Sequence, residues 1–364
     1  MRASFSRATV SRVAATAAAA AVALGAGPAA YADCGPGQSG EFANRKLVVF
    51  PDDGHQIVYD FINSATTSID MTMYELEDTT VTADLIAAEQ RGVKVRVILD
   101  GRVGPSSKYY SVAYTALTAA GISVVWSSSA YYYTHQKTIT VDGRESLILT
   151  GNLVSYYYPS DRDYGVFDTE PRDVRAVEQT FGADFTDTPI SPSAGDGDLV
   201  WSPTTAKPTI LSLINGARHS LLIEEEEMFD PDVVNALAAA AQRGVDVQLV
   251  IITECDLDPY LNTLIAAGVH VSQDDNSTDT QYAHAKAIVA DYGTHDQRVE
   301  VGSINISTTS LTLNRELGIL LDGRDAATRA SVDRLDSVIS ADFAAATPYT
   351  YVDPSTITCS SSDS

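Results

Sequence analysis

Two short stretches of this 364-residue chain place an imidazole beside an ammonium group. The first is His135-Gln136-Lys137, within Tyr131–Asp142; the second is His284-Ala285-Lys286, within Tyr282–Asp291. Both lie in alternating apolar runs, Thr134–Val141 and Ala283–Ala290, whose period of two predicts strands. Residues two apart on a strand share a face, so His135 and Lys137 point the same way, as do His284 and Lys286. Phosphodiester cleavage at nitrogen needs a nucleophile, an acid for the leaving alcohol, and cations around the phosphoryl oxygens. One copy supplies one imidazole. Two copies supply one on each side of a phosphorus, which suits in-line displacement through a phosphohistidine.

Each copy continues into a turn carrying an asparagine and then into an acid. The first runs through Leu149-Thr150-Gly151-Asn152 to Asp163, the second through Gly302-Ser303-Ile304-Asn305 to Glu316. Paired His-x-Lys-x4-Asp motifs with downstream Gly-Ser-x-Asn turns resemble the phospholipase D superfamily. The second copy fits that pattern fully; the first departs from it, with Thr150 at the serine position. The resemblance covers nearly the whole chain after its N-terminal leader. It implies two pseudo-symmetric α/β halves, with mixed sheets flanked by helices, sharing one active site. It implies His135 as nucleophile and His284 as general acid, later the base that activates water. Asp163 and Glu316, 28 and 32 residues after their histidines, match the family acid that holds imidazole Nδ1 and fixes the tautomer. Lys137 and Lys286 would neutralise phosphoryl oxygens, with Asn152 and Asn305 donating hydrogen bonds to them. Thr150 and Ser303 either bind phosphate or brace the turn. Asp142 and Asp291, seven residues after their histidines, fall on the opposite strand face and are read as structural.

The elements that must hold these groups repeat. Ile62-Asn63-Ser64-Ala65 matches Ile214-Asn215-Gly216-Ala217, and Gln90-Arg91-Gly92-Val93 matches Gln242-Arg243-Gly244-Val245, both offset by 152. Each half reads as helix and strand in alternation, ending in the His-x-Lys strand, as a mixed α/β sheet requires. The halves are expected over 41–187 and 199–346. A linker is expected at 188–198, within a stretch rich in Pro, Gly, Ser and Asp, and 347–364 reads as a loosely held tail.

Arg2, Arg7 and Arg12, the alanine-rich run Val13–Ala26 and Ala30-Tyr31-Ala32 read as a cleavable signal peptide over 1–32, predicting a secreted protein. The run is too short to span a membrane well. Its loss removes three arginines and no acid, leaving 21 basic against 48 acidic side chains, or −27. Such a charge keeps a protein soluble and repels polyanions. Three cysteines in an oxidising compartment allow one disulfide with one left over; a Cys34–Cys359 bond would tie the two ends together and leave Cys255 a buried free thiol, but the sequence leaves the pairing open.

No His/Cys cluster has zinc-ligand spacing, so no metal or other cofactor is expected. His55, His219, His270 and His295 read as satisfied core residues. Glu224, Glu225, Glu226 and Glu227 follow a strand and read as a solvated rim; alternation would still let two of them hold a cationic head group or a metal. Tyr109-Tyr110, Tyr131–Tyr133 and Tyr156–Tyr158 crowd the first motif, and tyrosines suit lipid interfaces, quaternary ammonium groups and stacked bases. The expected function is a secreted phospholipase D, acting as a monomer at a membrane or micelle surface. It would release phosphatidate and a head-group alcohol, with transfer to alcohols as a further outcome. A nuclease of the same superfamily is the alternative, and an inactive binding module a third; no stable nucleic-acid partner is expected, since no basic run is longer than Arg45-Lys46.

Overall fold

A computed structural model describes residues 45–274, 281–323, 326–357 and Cys359. The proposed leader and Cys34 lie outside them. In the first half the elements are β1 (Arg45–Phe50), α1 (Gln56–Asn63), β2 (Ser68–Met73), α2 (Thr79–Gln90), β3 (Lys94–Leu99), α3 (Tyr110–Ala119), β4 (Ser123–Trp126), β5 (Thr138–Val141), β6 (Glu145–Leu149), β7 (Asp161–Asp168) and α4 (Pro171–Phe185). The second half repeats them as β8 (Leu199–Ser202), α5 (Ala206–Gly216), β9 (Ser220–Glu225), α6 (Pro231–Gln242), β10 (Asp246–Ile252), α7 (Asp258–Ala266), β11 (His270–Asp274), β12 (Tyr282–Ala283), β13 (Lys286–Ala290), β14 (Arg298–Gly302), α8 (Thr308–Thr312), β15 (Glu316–Leu321), α9 (Ala326–Ala345) and β16 (Thr347–Pro348).

The first sheet runs β1-β7-β6-β5-β2-β3-β4, the second β16-β11-β10-β9-β13-β14-β15-β8. Each mixes a parallel set (β2-β3-β4; β9-β10-β11) with an antiparallel one, and helices flank both. Asp78 and Asp230 begin α2 and α6 by accepting from Thr80 N and Val81 N, and from Asp232 N and Val233 N. One apolar cluster crosses between the halves: Val49, Tyr164 and Val166 pack with Trp201, Leu317 and Leu335.

Several expectations change. The strands β1 and β8, which open each half antiparallel to the acid-bearing strands β7 and β15, were not expected, although Leu47-Val48-Val49-Phe50 and Leu199-Val200-Trp201 are short apolar runs that suit strands. The motif strands begin only at Thr138 and Lys286, so His135 and His284 precede the ladder rather than sit within it. Glu224 and Glu225 belong to β9 itself, and both are buried, so the four acids are no solvated rim. Over its described residues, 347–357 and Cys359, the tail is held in place. Its residues 347–348 pair with β11, Asn262 holds Val352, and Cys359 bonds to Cys255 rather than to Cys34. The tail runs back past the β11 edge and α7, which brings Cys359 to the turn after β10. Cys255 is therefore no free thiol. His219, His270 and His295 are exposed rather than core. No helix among the described residues is long and apolar enough to cross a membrane.

Candidate active site

Each histidine is carried by a segment that leaves its own half. Thr134 bridges Arg315 in parallel, with Gln136 N donating to Arg315 O at 3.0 Å, so His135 lies beside Glu316. Tyr282 and Ala283 pair in parallel with Asp161 and Arg162, so His284 lies beside Asp163. His135 Nδ1 is 2.9 Å from Glu316 Oε2 and 3.1 Å from the Ser303 carbonyl; His284 Nδ1 is 2.9 Å from Asp163 Oδ1. Spacing had matched each acid to the histidine of its own copy. The structure exchanges them, because the histidine segments cross the interface while the acids stay on β7 and β15.

The carboxylates at Nδ1 leave Nε2 for chemistry, and the two rings differ in charge preference. Burial, then the Lys137 ammonium, pull His135 below the ordinary imidazole range despite Glu316. Burial also opposes charge on His284, but Asp163 and Glu226 outweigh it and raise its pKa. Both acids fall below the usual carboxylate range: burial opposes this, and the paired imidazole overcomes it.

Lys137 and Lys286 are fully buried. Lys137 Nζ donates to the His135 carbonyl at 2.8 Å, and burial followed by repulsion from Lys286 pushes it down to about 7. Lys286 Nζ donates to the His284 carbonyl and to Glu226 Oε2 at 2.9 Å; burial works against its charge, but Glu226 and Asp163 raise its pKa.

Thr150 and Ser303 brace the acid strands and are absent from the cavity wall. Thr150 Oγ1 donates to Asp163 Oδ1 at 2.6 Å and accepts from Tyr164 N; Ser303 Oγ accepts from Leu317 N at 3.2 Å. Those contacts are the turn-bracing one of the two roles expected for these hydroxyls. At Gly151 an added Cβ would lie 2.4 Å from Asp163 Oδ2, so the acid that holds His284 needs a glycine there. Asn152 and Asn305 do line the cavity; Asn152 Nδ2 donates to Glu75 Oε2 at 3.2 Å, and the Asn305 side-chain oxygen has no hydrogen-bond partner among the described residues. Asp142 and Asp291 lie far from it. Both adopt left-handed φ, 54° and 53°, at the ends of β5 and β13. Their carboxylates accept from backbone N–H groups of Thr66, Thr67 and Ser68, and of Arg218, His219 and Ser220. Those bonds offset the strain of that conformation.

The cavity, of about 290 Å³, joins both histidines and both asparagines to groups the sequence reading passed over or misplaced. His55 stacks on Tyr158, with ring centroids 3.3 Å apart, and burial lowers it to about 4, so it is neutral here and not a core residue. Tyr74, Tyr110, Tyr157, Tyr158 and Tyr282 supply rings; Glu75, Asp161, Glu226 and Glu227 supply carboxyls. Burial and then Glu226 raise Glu227 to about 7, whereas Glu226 is held low by Lys286 and His284 against the effect of burial. One signal for two of these was legible: Glu75-Leu-Glu-Asp78 recurs as Glu227-Met-Phe-Asp230 at the same offset of 152. Asp161, Asp163 and His284 bring ligand atoms within 4.8 Å of one another. Asp163 and the His284 imidazole are already committed to each other, so the trio suits proton transfer better than metal ligation.

A family profile described as "Cardiolipin synthase, PLD-like domain" matches residues 58–185 and 210–334, covering both motifs. The chain is 25% identical over 327 residues to cardiolipin synthase A of Proteus mirabilis (76% of this chain, 65% of that protein). It is 24% identical over 335 residues to cardiolipin synthase 2 of Bacillus anthracis (79% and 63%). The chain thus spans a little under two thirds of the length of these relatives. In fold it is similar to phosphatidylserine synthase from Haemophilus influenzae, with a TM-score of 0.68 at 12% identity over 85% of this chain and 88% of that one. It is also similar to polyphosphate kinase from Porphyromonas gingivalis, with a TM-score of 0.64 at 19% identity over 81% and 50%. With a profile match across both halves and one shared His-x-Lys cavity, the chain belongs to the phospholipase D superfamily.

Proposed function

We propose that the protein is an exported phospholipase D, opening the distal phosphodiester of a glycerophospholipid. The observation that carries this reading is two imidazoles on one cavity, each tethered at Nδ1 by a carboxylate from the opposite half. Neutral His135 attacks phosphorus through Nε2. A P–N bond forms as the bond to the head-group oxygen breaks, and the His284 Nε2 proton passes to that oxygen. Water then enters, gives a proton to neutral His284, and attacks phosphorus. The P–N bond breaks, leaving phosphatidate and the starting imidazoles. An alcohol in place of water gives transfer. Relatives named as cardiolipin synthases support a phospholipid substrate.

A net charge of −24 and a wall of carboxyls and tyrosines favour one phosphate carrying its own cation over a polyanion. The Cys255–Cys359 disulfide supports export, since such bonds persist in oxidising compartments. The test is purified protein against phosphatidylcholine and phosphatidylethanolamine vesicles and against plasmid and single-stranded DNA, at physiological salt. Release of choline or ethanolamine with feeble DNA cleavage is expected. Intact lipid with efficient DNA degradation would overturn the reading in favour of a nuclease.

A further inference from the structure

The duplication is broken at one position beside the histidines. Thr72 lies opposite Thr138, and Glu224 opposite Ala287, each partner one residue past its motif lysine. Two residues on from these, Tyr74 and Glu226 therefore occupy equivalent places. The Tyr74 ring centroid lies 4.6 Å from the His135 ring and 5.1 Å from Lys137 Nζ. Glu226 Oε2 lies 3.6 Å from His284 Nε2 and 2.9 Å from Lys286 Nζ. His135 thus borders one carboxylate, at Nδ1, while His284 borders one at each ring nitrogen.

We propose that Glu226 is a positioning residue: it keeps the resting proton on His284 and so leaves His135 as the attacking imidazole. This rests on the phosphohistidine reading above. At 3.6 Å the carboxylate is too far to capture the Nε2 proton by hydrogen bonding, so its influence is Coulombic and the N–H stays available to a leaving oxygen. The groups facing His284 are Asp163 from β7, Glu226 from the end of β9 and Lys286 from β13, with Asp161, Glu75 and Glu227 on the surrounding wall and His135 across it. Carboxyl groups outnumber cations around that ring. The opposite pKa directions of the two histidines agree with the geometry.

The test is Glu226→Gln, assayed on two soluble phosphodiesters. One releases p-nitrophenolate, which departs without a proton; the other is a short-chain phosphatidylcholine, whose alkoxide needs one. Loss of the carboxylate lowers the His284 pKa, so the alkaline limb of the kcat profile should move to lower pH. Turnover of the lipid should fall about tenfold or more. Release of p-nitrophenolate should fall about tenfold less than lipid turnover, and a native circular dichroism spectrum shows that the variant is folded. Glu226→Asp should restore the profile. Tyr74→Glu, placing a carboxylate beside His135, should move the acidic limb to higher pH. Quenched wild-type reactions should carry phosphate on His135. Phosphate on His284 alone, equal losses on both substrates, or an unmoved pH profile in Glu226→Gln would overturn the proposal. Absence of phosphohistidine in a wild type that turns both substrates over would sink the reaction scheme itself.

Discussion

An imidazole can act only in the protonation state its neighbours allow, and here the neighbours were the illegible part. The histidines, lysines, asparagines and acids were all visible as types at repeated spacings. Which acid serves which histidine was not, because that follows from two chain crossings, Thr134 to Arg315 and Tyr282 to Asp161, that leave no local pattern. His135→Ala and His284→Ala should each lose about 10³-fold or more in kcat, with the double variant little worse than either, since the two rings act as one unit. Single-turnover assays of folded variants check this; near-native turnover by either single variant would end the shared-site mechanism. The pairing makes a finer prediction. Asp163→Asn removes the charge that raises His284, so the alkaline limb should move to lower pH. Glu316→Gln removes the charge that props up His135, so the acidic limb should move to lower pH instead. Profiles of kcat for both variants distinguish this exchange from same-half pairing, which would swap the limbs.

At the scale of elements, alternation and repeat made the sheets legible, while the short opening strands and the tail were missed. β1, Arg45–Phe50, gains its place from pairing with β7, a long-range fact. The tail reads as polar and aperiodic, yet a disulfide closing a separation of 104 residues fixes it. Reduction, or Cys359→Ser, should lower stability by about 2–4 kcal/mol, seen as a lower urea midpoint with catalysis kept below the transition. Buried acids on the second sheet make another prediction. Burial, then Glu316, raises Glu300 to about 8, above its unfolded value. Stability held by the neutral form is present below the unfolded pKa and is lost as pH rises through about 8. The melting temperature should therefore fall from about pH 5 to about pH 9, and less so in Glu300→Gln. An equal fall in the variant would show that Glu300 does not titrate in this way.

For the whole molecule, charge and chemistry pull in one direction. Asp163 and His284 are engaged with each other, so turnover of a soluble phosphodiester should persist in excess EDTA; complete, reversible loss would demand a metal-dependent step. The pseudo-symmetric outline was legible because the repeat offset persists across helices and strands. The interleaving was not, and it has a consequence for either half alone. Neither copy owns a working histidine, since each one's imidazole answers to the other's carboxylate. A separated half carries a histidine without its acid and an acid without its histidine. Only by pairing with a second half could either one complete a histidine–carboxylate unit.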